Sequence, residues 1–190
     1  TGANPRKIGL DGEQTFAGKG VSYCATCDGA FFKNQEIIVV GGGDSAMEEA
    51  TFLTKFASTV HIVHRRDKFR ASKIMQERVL SNEKIKVHFN CTVEDIQGDQ
   101  KFQKVILKNV KTNEKITLEA GGLFVAIGHE PNSKIFDGQV ELDENGYIVL
   151  KNNTETTITG VFCAGDVHDH RYRQAVTAAG FGCMAAIDAD

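Results

Sequence analysis

The 190-residue sequence predicts an α/β fold in two parts, and three features of its hydrophobic pattern support this prediction. Residues 36–63 alternate a strand pattern, a glycine turn, a helix pattern and a second strand pattern. Residues 92–118 change to short alternating segments, which predict an antiparallel meander. After Pro131 the pattern starts again with turns, one strand and a final helix. We therefore predict a domain boundary near residues 128–131.

The predicted strand–helix–strand unit begins with a strand at Ile37–Val40. Every residue of this run is apolar and β-branched, as in a parallel sheet that other elements cover on both faces. The next strand is predicted at Val60–Val63. Between the two strands, apolar residues recur at steps of three and four, as on one face of a helix. These residues are Ala46, Met47, Ala50, Leu53 and Ala57.

The other elements are shorter and are predicted from the same two periods. In chain order they are a helix at about residues 71–80, a strand at 87–89, the meander strands around 105–107 and 116–118, a buried strand at 123–127, a hairpin about Asn145-Gly146, a strand at Val161–Ala164 and a final helix. The meander interrupts the α/β pattern and is therefore predicted to be an insertion.

Composition limits the class of protein. Hydrophobic residues make up 41% of the chain and charged residues 25%, which is typical of a globular protein. A net charge of -3 gives no general basis for binding nucleic acid or an anionic membrane. No apolar run approaches the roughly 20 residues that cross a bilayer. The five cysteines are too few and too scattered for a secreted disulfide framework, so we expect a cytoplasmic protein.

The segment Gly41-Gly42-Gly43-Asp44-Ser45-Ala46 fits the dinucleotide-binding pattern Gly-x-Gly-x-x-Ala. It follows a predicted strand and opens a predicted helix, as this pattern requires in a Rossmann-like fold. Gly41 would allow the tight turn, and Gly43 would let the backbone approach a pyrophosphate. The helix N-terminus, at Asp44 and Ser45, would face the phosphates with free N–H groups. The alternative is a glycine-rich turn that binds nothing.

The end of the second strand indicates which nicotinamide cofactor is preferred. NAD-binding proteins usually place an acidic residue there, to accept hydrogen bonds from the ribose. Here the sequence is His64-Arg65-Arg66, with Arg70 close behind. Guanidinium groups bind phosphate through paired hydrogen bonds, so NADP is predicted. The alternative is a solvated basic stretch.

Cys24 and Cys27 form a CxxC pair, which can close and reopen a small disulfide ring. Asp28 follows directly and could shuttle a proton, although it could equally cap a turn. The alternative for the cysteines is half of a structural zinc site, but two further ligands at matching spacing are missing, so no metal is predicted. Cys163 and Cys183 lie in apolar settings and are predicted to be packing residues.

Several segments together resemble the low-molecular-weight thioredoxin reductases. They occur in the same order as in that family and span nearly the whole chain, and the CxxC pair directly precedes the NADP-type unit. The segments are Cys24-Ala25-Thr26-Cys27-Asp28-Gly29, the Gly41 turn, His64-Arg65-Arg66 with Arg70-Ala71, Ala126-Ile127-Gly128-His129, Gly165-Asp166 and Arg173-Gln174-Ala175.

The resemblance implies a second cofactor, FAD. It implies that Asp166, after Gly165, hydrogen-bonds the flavin ribityl chain, and that Arg173, Gln174 and Ala175 lie along the isoalloxazine. Ile127 and Gly128 join the implied cofactor-binding residues. From the sequence alone, Gly165-Asp166 after a strand fits either a polar ligand or a strand-ending turn. The stretch His168-Asp169-His170 is predicted to be a solvated loop rather than a metal site.

The resemblance also implies a domain division and a reaction. Residues 7–129 would form the NADP-binding domain with the CxxC pair, residues 130–190 the C-terminal part of a FAD-binding domain, and residues 1–6 a remnant of that domain. The two domains would rotate about hinges near residues 5–8 and 128–131. Electrons would pass from NADPH through FAD to Cys24–Cys27, with Cys27 facing the flavin and Cys24 attacking thioredoxin, the protein substrate. A homodimer is the implied assembly.

The sequence begins at Thr1 and lacks a first glycine turn for the ADP half of FAD, so we expect a fragment whose FAD site is incomplete. Two alternatives to thioredoxin reduction stay open. One is a peroxiredoxin-linked flavoprotein of the alkyl hydroperoxide reductase type. The other is an isolated NADP-binding module without turnover.

Overall fold

The computed structural model describes residues 1–190, which divide into two compact units. The larger unit comprises Arg6–Gly128, and the smaller comprises Thr1–Pro5 with His129–Asp190. The strands are β1 (Ala3–Pro5), β2 (Val21–Ser22), β3 (Glu36–Gly41), β4 (Thr59–His64), β5 (Ile85–Phe89), β6 (Cys91–Gly98), β7 (Phe102–Asn109), β8 (Lys115–Glu119), β9 (Gly122–Ala126) and β10 (His129–Pro131). The α-helices are α1 (Asp11–Thr15), α2 (Ala25–Asp28), α3 (Asp44–Leu53), α4 (Lys73–Leu80) and α5 (Ala175–Ala189).

A parallel five-stranded sheet, in the order β2-β9-β3-β4-β5, forms the centre of the larger unit. Its strand β3 is buried on both faces, because Ile37 and Val39 join one apolar cluster and Ile38 joins the other. The first cluster includes residues of α3 and α4. The second includes residues of the antiparallel meander β6-β7-β8. The predicted α/β fold with a meander insertion is therefore confirmed.

Helix α3 confirms the prediction made from its apolar spacing. Ala46, Met47, Ala50 and Leu53 all have no exposed surface, as expected for one face packed on a sheet. The α-helix ends at Leu53, so the buried Ala57 lies outside it, in the segment that leads to β4. Helix α4 begins at Lys73, two residues later than predicted.

The smaller unit contains less regular structure than the sequence predicts. The turn at Asn145-Gly146 is present, with one antiparallel bridge between Leu142 and Ile148. The predicted strand at Val161–Ala164 is wrong, since only Phe162 forms a bridge, to Glu155. A strand needs a neighbouring strand to complete its hydrogen-bond ladder, and the smaller unit provides none at this position.

Burial is also limited in the smaller unit. Its apolar cluster has three buried members, Ile148, Cys163 and Val167. Helix α5 has no buried residue. No helix in either unit combines the length and the apolar composition that crossing a bilayer requires.

Candidate active site

Four loops of the larger unit meet at one edge of the parallel sheet. Because the strands are parallel, their carboxyl ends lie at the same edge, where ligands of open α/β sheets bind. In spatial order, β2 leads into Cys24, β9 into Ile127-Gly128, β3 into the glycine turn, and β4 into Arg65. The CxxC pair and the glycine turn therefore follow strands with only β9 between them.

The glycine turn has two glycines that the fold requires and one that faces open space. A Cβ on Gly41 would overlap the Ala126 carbonyl oxygen and the Ala46 methyl group, and a Cβ on Gly42 would overlap the His64 ring. A Cβ on Gly43 would have no protein atom within 4 Å. The backbone at Gly43, just before α3, is thus open to a ligand and fits a pyrophosphate group.

His64 packs under the glycine turn. The residue is 6% exposed, and its Nε2 lies 3.0 Å from the Lys68 carbonyl oxygen. Burial lowers the pKa of His64, and the nearby Arg70 and Arg66 lower it further. A neutral ring at pH 7 supports the turn and provides no cationic group for a phosphate.

The arginines after β4 are available to bind an anion. Arg65, Arg66 and Arg70 are all exposed, and none of them forms a salt bridge. The acidic residue of the same loop, Asp67, instead pairs with Lys111 at 3.2 Å. Three guanidinium groups without a carboxylate partner suit a phosphate monoester.

The two residues that open α3 have different surroundings. Asp44 Oδ1 accepts hydrogen bonds from the backbone N–H of Ser72 at 2.9 Å and from its hydroxyl at 2.7 Å. The half-buried hydroxyl of Ser45 makes no hydrogen bond to the protein. Ser45 can therefore donate to a phosphate, while Asp44 is held by Ser72. Sequence analysis missed Ser72, although its position just before a helical pattern is a typical N-cap signal.

Cys24 and Cys27 form a disulfide. Cys24 caps α2, because its Sγ accepts the backbone N–H of Cys27 at 3.2 Å. Cys24 is half-buried and Cys27 is exposed. A disulfide offers no thiolate to a metal, and no three potential metal ligands gather anywhere in the structure.

Asp28 is oriented by Ser22, a residue that sequence analysis missed. The Ser22 hydroxyl donates to Asp28 Oδ2 at 2.6 Å and accepts the Cys24 backbone N–H at 3.1 Å. The Asp28 side chain makes no capping hydrogen bond to the turn that follows. Ser22 thus joins the carboxylate to the backbone of the CxxC segment, and a carboxyl group is a residue type that can transfer protons.

Glu13 is a second buried polar residue that the sequence pattern did not reveal. It has no exposed surface, and its carboxylate accepts from the N–H groups of Ile8 and Gly9 and from the Tyr23 hydroxyl at 3.1 Å. Burial first, and then the Glu13 charge, raise the pKa of Tyr23 to about 12. Glu13 therefore connects the start of the larger unit to the residue before Cys24.

In the smaller unit, Asp166 has a buried oxygen with no hydrogen-bond partner. The atom is Oδ1, and the buried Nε2 of His168 likewise has none. Burial raises the pKa of Asp166, and the Asp169 carboxylate raises it further. Gly165 has a φ of 78°, a left-handed conformation that suits glycine. Unsatisfied buried polar atoms of this kind fit a ligand that supplies hydroxyl groups.

Asp169 organises the loop before α5, so the prediction of a solvated loop is wrong there. It is 7% exposed and accepts from the backbone N–H groups of Arg171, Tyr172 and Arg173 at 2.9–3.2 Å. Burial tends to raise its pKa, but these hydrogen bonds outweigh burial and lower it. Arg173 is held with a φ of 49°.

Arg173 also donates from Nη1 to Nδ1 of His129 at 2.8 Å. Gln174 and Thr177 form a capping box at the start of α5, whose first residue is Ala175. The sites of Gly165, Asp166, Arg173, Gln174 and Ala175 therefore all lie in the smaller unit. Of the two remaining cysteines predicted to pack, Cys163 is buried and Cys183 is exposed, because α5 buries none of its faces.

The fold and the site together define a dinucleotide-binding type of α/β protein with a disulfide at the binding edge of its sheet. A model of the pyridine nucleotide-disulphide oxidoreductases matches residues 1–182. The chain therefore belongs to the pyridine nucleotide-disulphide oxidoreductase family.

Its relatives in this family are thioredoxin reductases, as the sequence resemblance indicated. Those of Streptomyces clavuligerus and Mycolicibacterium smegmatis are both 56% identical to it over the whole chain. The chain spans 59% and 61% of their lengths. The thioredoxin reductase of Giardia duodenalis has a similar structure, with a TM-score of 0.94 at 48% identity. The matched region covers 100% of this chain and 62% of the Giardia chain.

Proposed function

We propose that the chain is the part of an NADPH-dependent thioredoxin reductase that contains the redox disulfide. The observation that supports this proposal best is the Cys24–Cys27 disulfide at the same sheet edge as the glycine turn. Since one strand separates β2 from β3, the two loops leave the sheet about 10 Å apart. A nicotinamide cofactor bound at the glycine turn would then belong to the same electron-transfer site as the disulfide.

On the nucleotide side, we assign roles within residues 7–129. Gly41 would allow the tight turn, and the backbone at Gly43, with Ser45, would hold the pyrophosphate. Arg65, Arg66 and Arg70 would bind the 2'-phosphate of NADP, which explains why no carboxylate pairs with them. His64 would support the turn from below, and the Asp44 carboxylate would bind Ser72.

On the flavin side, residues 130–190 with residues 1–6 would form part of a FAD site. The unpaired Asp166 Oδ1 would accept a ribityl hydroxyl. Gly165, Arg173, Gln174 and Ala175 would line the ring system. FAD, when bound, supplies two-electron transfer between NADPH and a disulfide.

The disulfide chemistry belongs to this chain. Two electrons and two protons open the Cys24–Cys27 bond to two thiols, and Asp28, held by Ser22, transfers one of those protons. The Cys24 thiol loses its proton, and the thiolate attacks the disulfide of thioredoxin to form a mixed disulfide and one thioredoxin thiolate, which takes up a proton. Cys27 then loses its proton and attacks the Cys24 sulfur, which restores the Cys24–Cys27 bond and releases the second thioredoxin sulfur, which is protonated in turn. A homodimeric assembly is proposed from the resemblance alone, and a cytoplasmic location from the few and scattered cysteines.

The test uses only the part of the reaction that this chain contains: the Cys24–Cys27 disulfide is reduced with dithiothreitol, the reductant is removed, and oxidised thioredoxin is added. We expect two new thiols in an Ellman titration and transfer of their electrons to thioredoxin, and we expect calorimetry to show that the chain binds NADPH. Cys27→Ser is the control and should release no thiol pair. A chain that binds NADPH but passes no electrons from its thiols to thioredoxin would refute the reductase proposal and support a nucleotide-binding module.

A further inference from the structure

Two loops at the binding edge are fastened to each other by four hydrogen bonds. The Gly42 carbonyl oxygen accepts from the backbone N–H groups of Arg70 at 2.8 Å and Ala71 at 3.2 Å. Asp44 Oδ1 accepts from the backbone N–H and the hydroxyl of Ser72. The glycine turn is therefore joined to the end of the arginine loop, which we define as residues 65–70.

The arginine loop is also anchored from inside. Phe69 is buried, and its ring centroid lies 4.7 Å from that of Phe89 and 5.5 Å from that of His64. The Arg66 carbonyl oxygen accepts the Asn90 N–H at 3.1 Å. The backbone of the loop is thus fixed, while its guanidinium groups extend into solvent.

Only one side chain on the glycine-turn side takes part in this fastening. Gly42 contributes only its backbone carbonyl oxygen, which a substitution would leave in place. The contact that a substitution can remove is therefore the one made by the Asp44 carboxylate. The Ser72 backbone N–H, and then its hydroxyl, lower the pKa of Asp44 below its usual range. The group is therefore ionised at neutral pH and accepts both hydrogen bonds at full strength.

We infer that Asp44 is a positioning residue for nucleotide choice: by holding Ser72, it fixes the arginine loop at the distance from the glycine turn that lets one NADP molecule bind both. This inference rests on the proposed function. Asp44 would act by holding Ser72 and would not contact the phosphates. The carboxylate, directed at Ser72, is also kept from repelling the pyrophosphate at the start of α3.

The test measures binding of adenosine 2',5'-bisphosphate and of 5'-AMP to the chain by calorimetry. The first probe contains the 2'-phosphate and the second does not. We expect Asp44→Ala to weaken bisphosphate binding about tenfold, because two charge-assisted hydrogen bonds that order the loop are lost. Binding of 5'-AMP should change less than about twofold, since it does not use the arginine loop.

Two further variants separate the hydrogen bonds from the charge. Asp44→Asn keeps an acceptor for Ser72 and should retain bisphosphate affinity within about threefold. Ser72→Ala removes only the hydroxyl and should lose about threefold. The double variant Asp44→Ala with Ser72→Ala should be no weaker than Asp44→Ala alone, because the two residues act through one contact.

The outcomes are distinct. Equal affinities of wild type and Asp44→Ala for the bisphosphate, or equal losses for both probes, would overturn the inference. A wild-type chain that does not prefer the bisphosphate to 5'-AMP would refute the proposed NADP site itself. Circular dichroism verifies folding, and if Asp44→Ala does not fold, the same comparison on Ser72→Ala decides.

Discussion

The hydrogen bond from Arg173 to His129 requires a neutral imidazole, because Nδ1 can accept from a guanidinium only when it has no proton. Burial first, and then the Arg173 charge, lower the pKa of His129 from 6.5 to about 4. The folded protein therefore binds fewer protons at this site than the unfolded chain does between those two values.

We predict that acidification destabilises the protein through His129. The free energy of unfolding should be highest above pH 6.5 and should fall as the pH falls toward about 4, since the unfolded state takes up the extra proton. His129→Asn, whose amide oxygen can still accept from Arg173, should show a shallower decline. Urea unfolding at several pH values between about 4 and 6.5 measures the free energy of unfolding of wild type and of His129→Asn.

Burial also lowers the pKa of His88 and His168. The free energy of unfolding of His129→Asn should therefore still fall with pH, by part of the wild-type amount. His170→Asn, at an exposed position of the same unit, is the control and should change the decline less. Parallel curves for wild type and His129→Asn would contradict this prediction.

At the scale of elements, the glycine turn between β3 and α3 contains neighbouring glycines with opposite requirements. Gly42 lies against the buried His64 ring, and Gly43 faces open space. We predict that Gly42→Ala destabilises the protein by about 1–3 kcal/mol, because the new methyl group must displace the ring. Gly43→Ala should change the free energy of unfolding by less than about 0.5 kcal/mol.

Nucleotide binding should distinguish the same two variants. Gly43→Ala should weaken adenosine 2',5'-bisphosphate binding about tenfold or more, because its methyl group occupies the space where a pyrophosphate would approach the backbone. Calorimetry and urea unfolding on both proteins provide the comparison. Full affinity in Gly43→Ala would show that phosphates bind elsewhere.

The elements that sequence analysis predicted correctly are those whose pattern is local. The β-branched run of β3 and the spacing of Ala46, Met47, Ala50 and Leu53 follow from neighbours a few residues away. The predicted strand at Val161–Ala164 failed, because a strand also depends on a partner that its own residues do not specify.

The site shows the same division between local and distant contacts. The glycine turn, the arginine loop and the CxxC pair are short motifs and were predicted as such. Asp44 meets Ser72, 28 residues away, and Glu13 meets Tyr23, so these pairs become visible only in the fold. Asp169 was assigned to solvent, but it is 7% exposed and accepts three backbone hydrogen bonds.

At the scale of the whole molecule, the two units differ in how much apolar surface they bury. The larger unit has two extensive clusters, whereas the smaller has three buried apolar residues in its cluster. Helix α5 has none. Local opening requires little free energy where few apolar contacts are lost.

We predict that amide hydrogens in α5 exchange at least about a hundredfold faster than those in β3 and β4. Both regions form regular backbone hydrogen bonds, so the difference should reflect burial rather than secondary structure. Hydrogen exchange followed by mass spectrometry of peptides from Ala175–Ala189, Glu36–Gly41 and Thr59–His64 measures it. Equal protection in the three peptides would contradict the prediction.

The position of β9 between β2 and β3 has a consequence for synthesis on the ribosome. Both β2 and β3 pair with β9, and Val21 lies beside Leu123, about a hundred residues later in the chain. Until that strand emerges, a nascent chain exposes the β3 edge on one side and leaves β2 without its ladder. Unpaired edges recruit other chains. We expect products truncated before Gly122 to aggregate, so translation must run almost to Gly128 before the larger unit can complete its sheet.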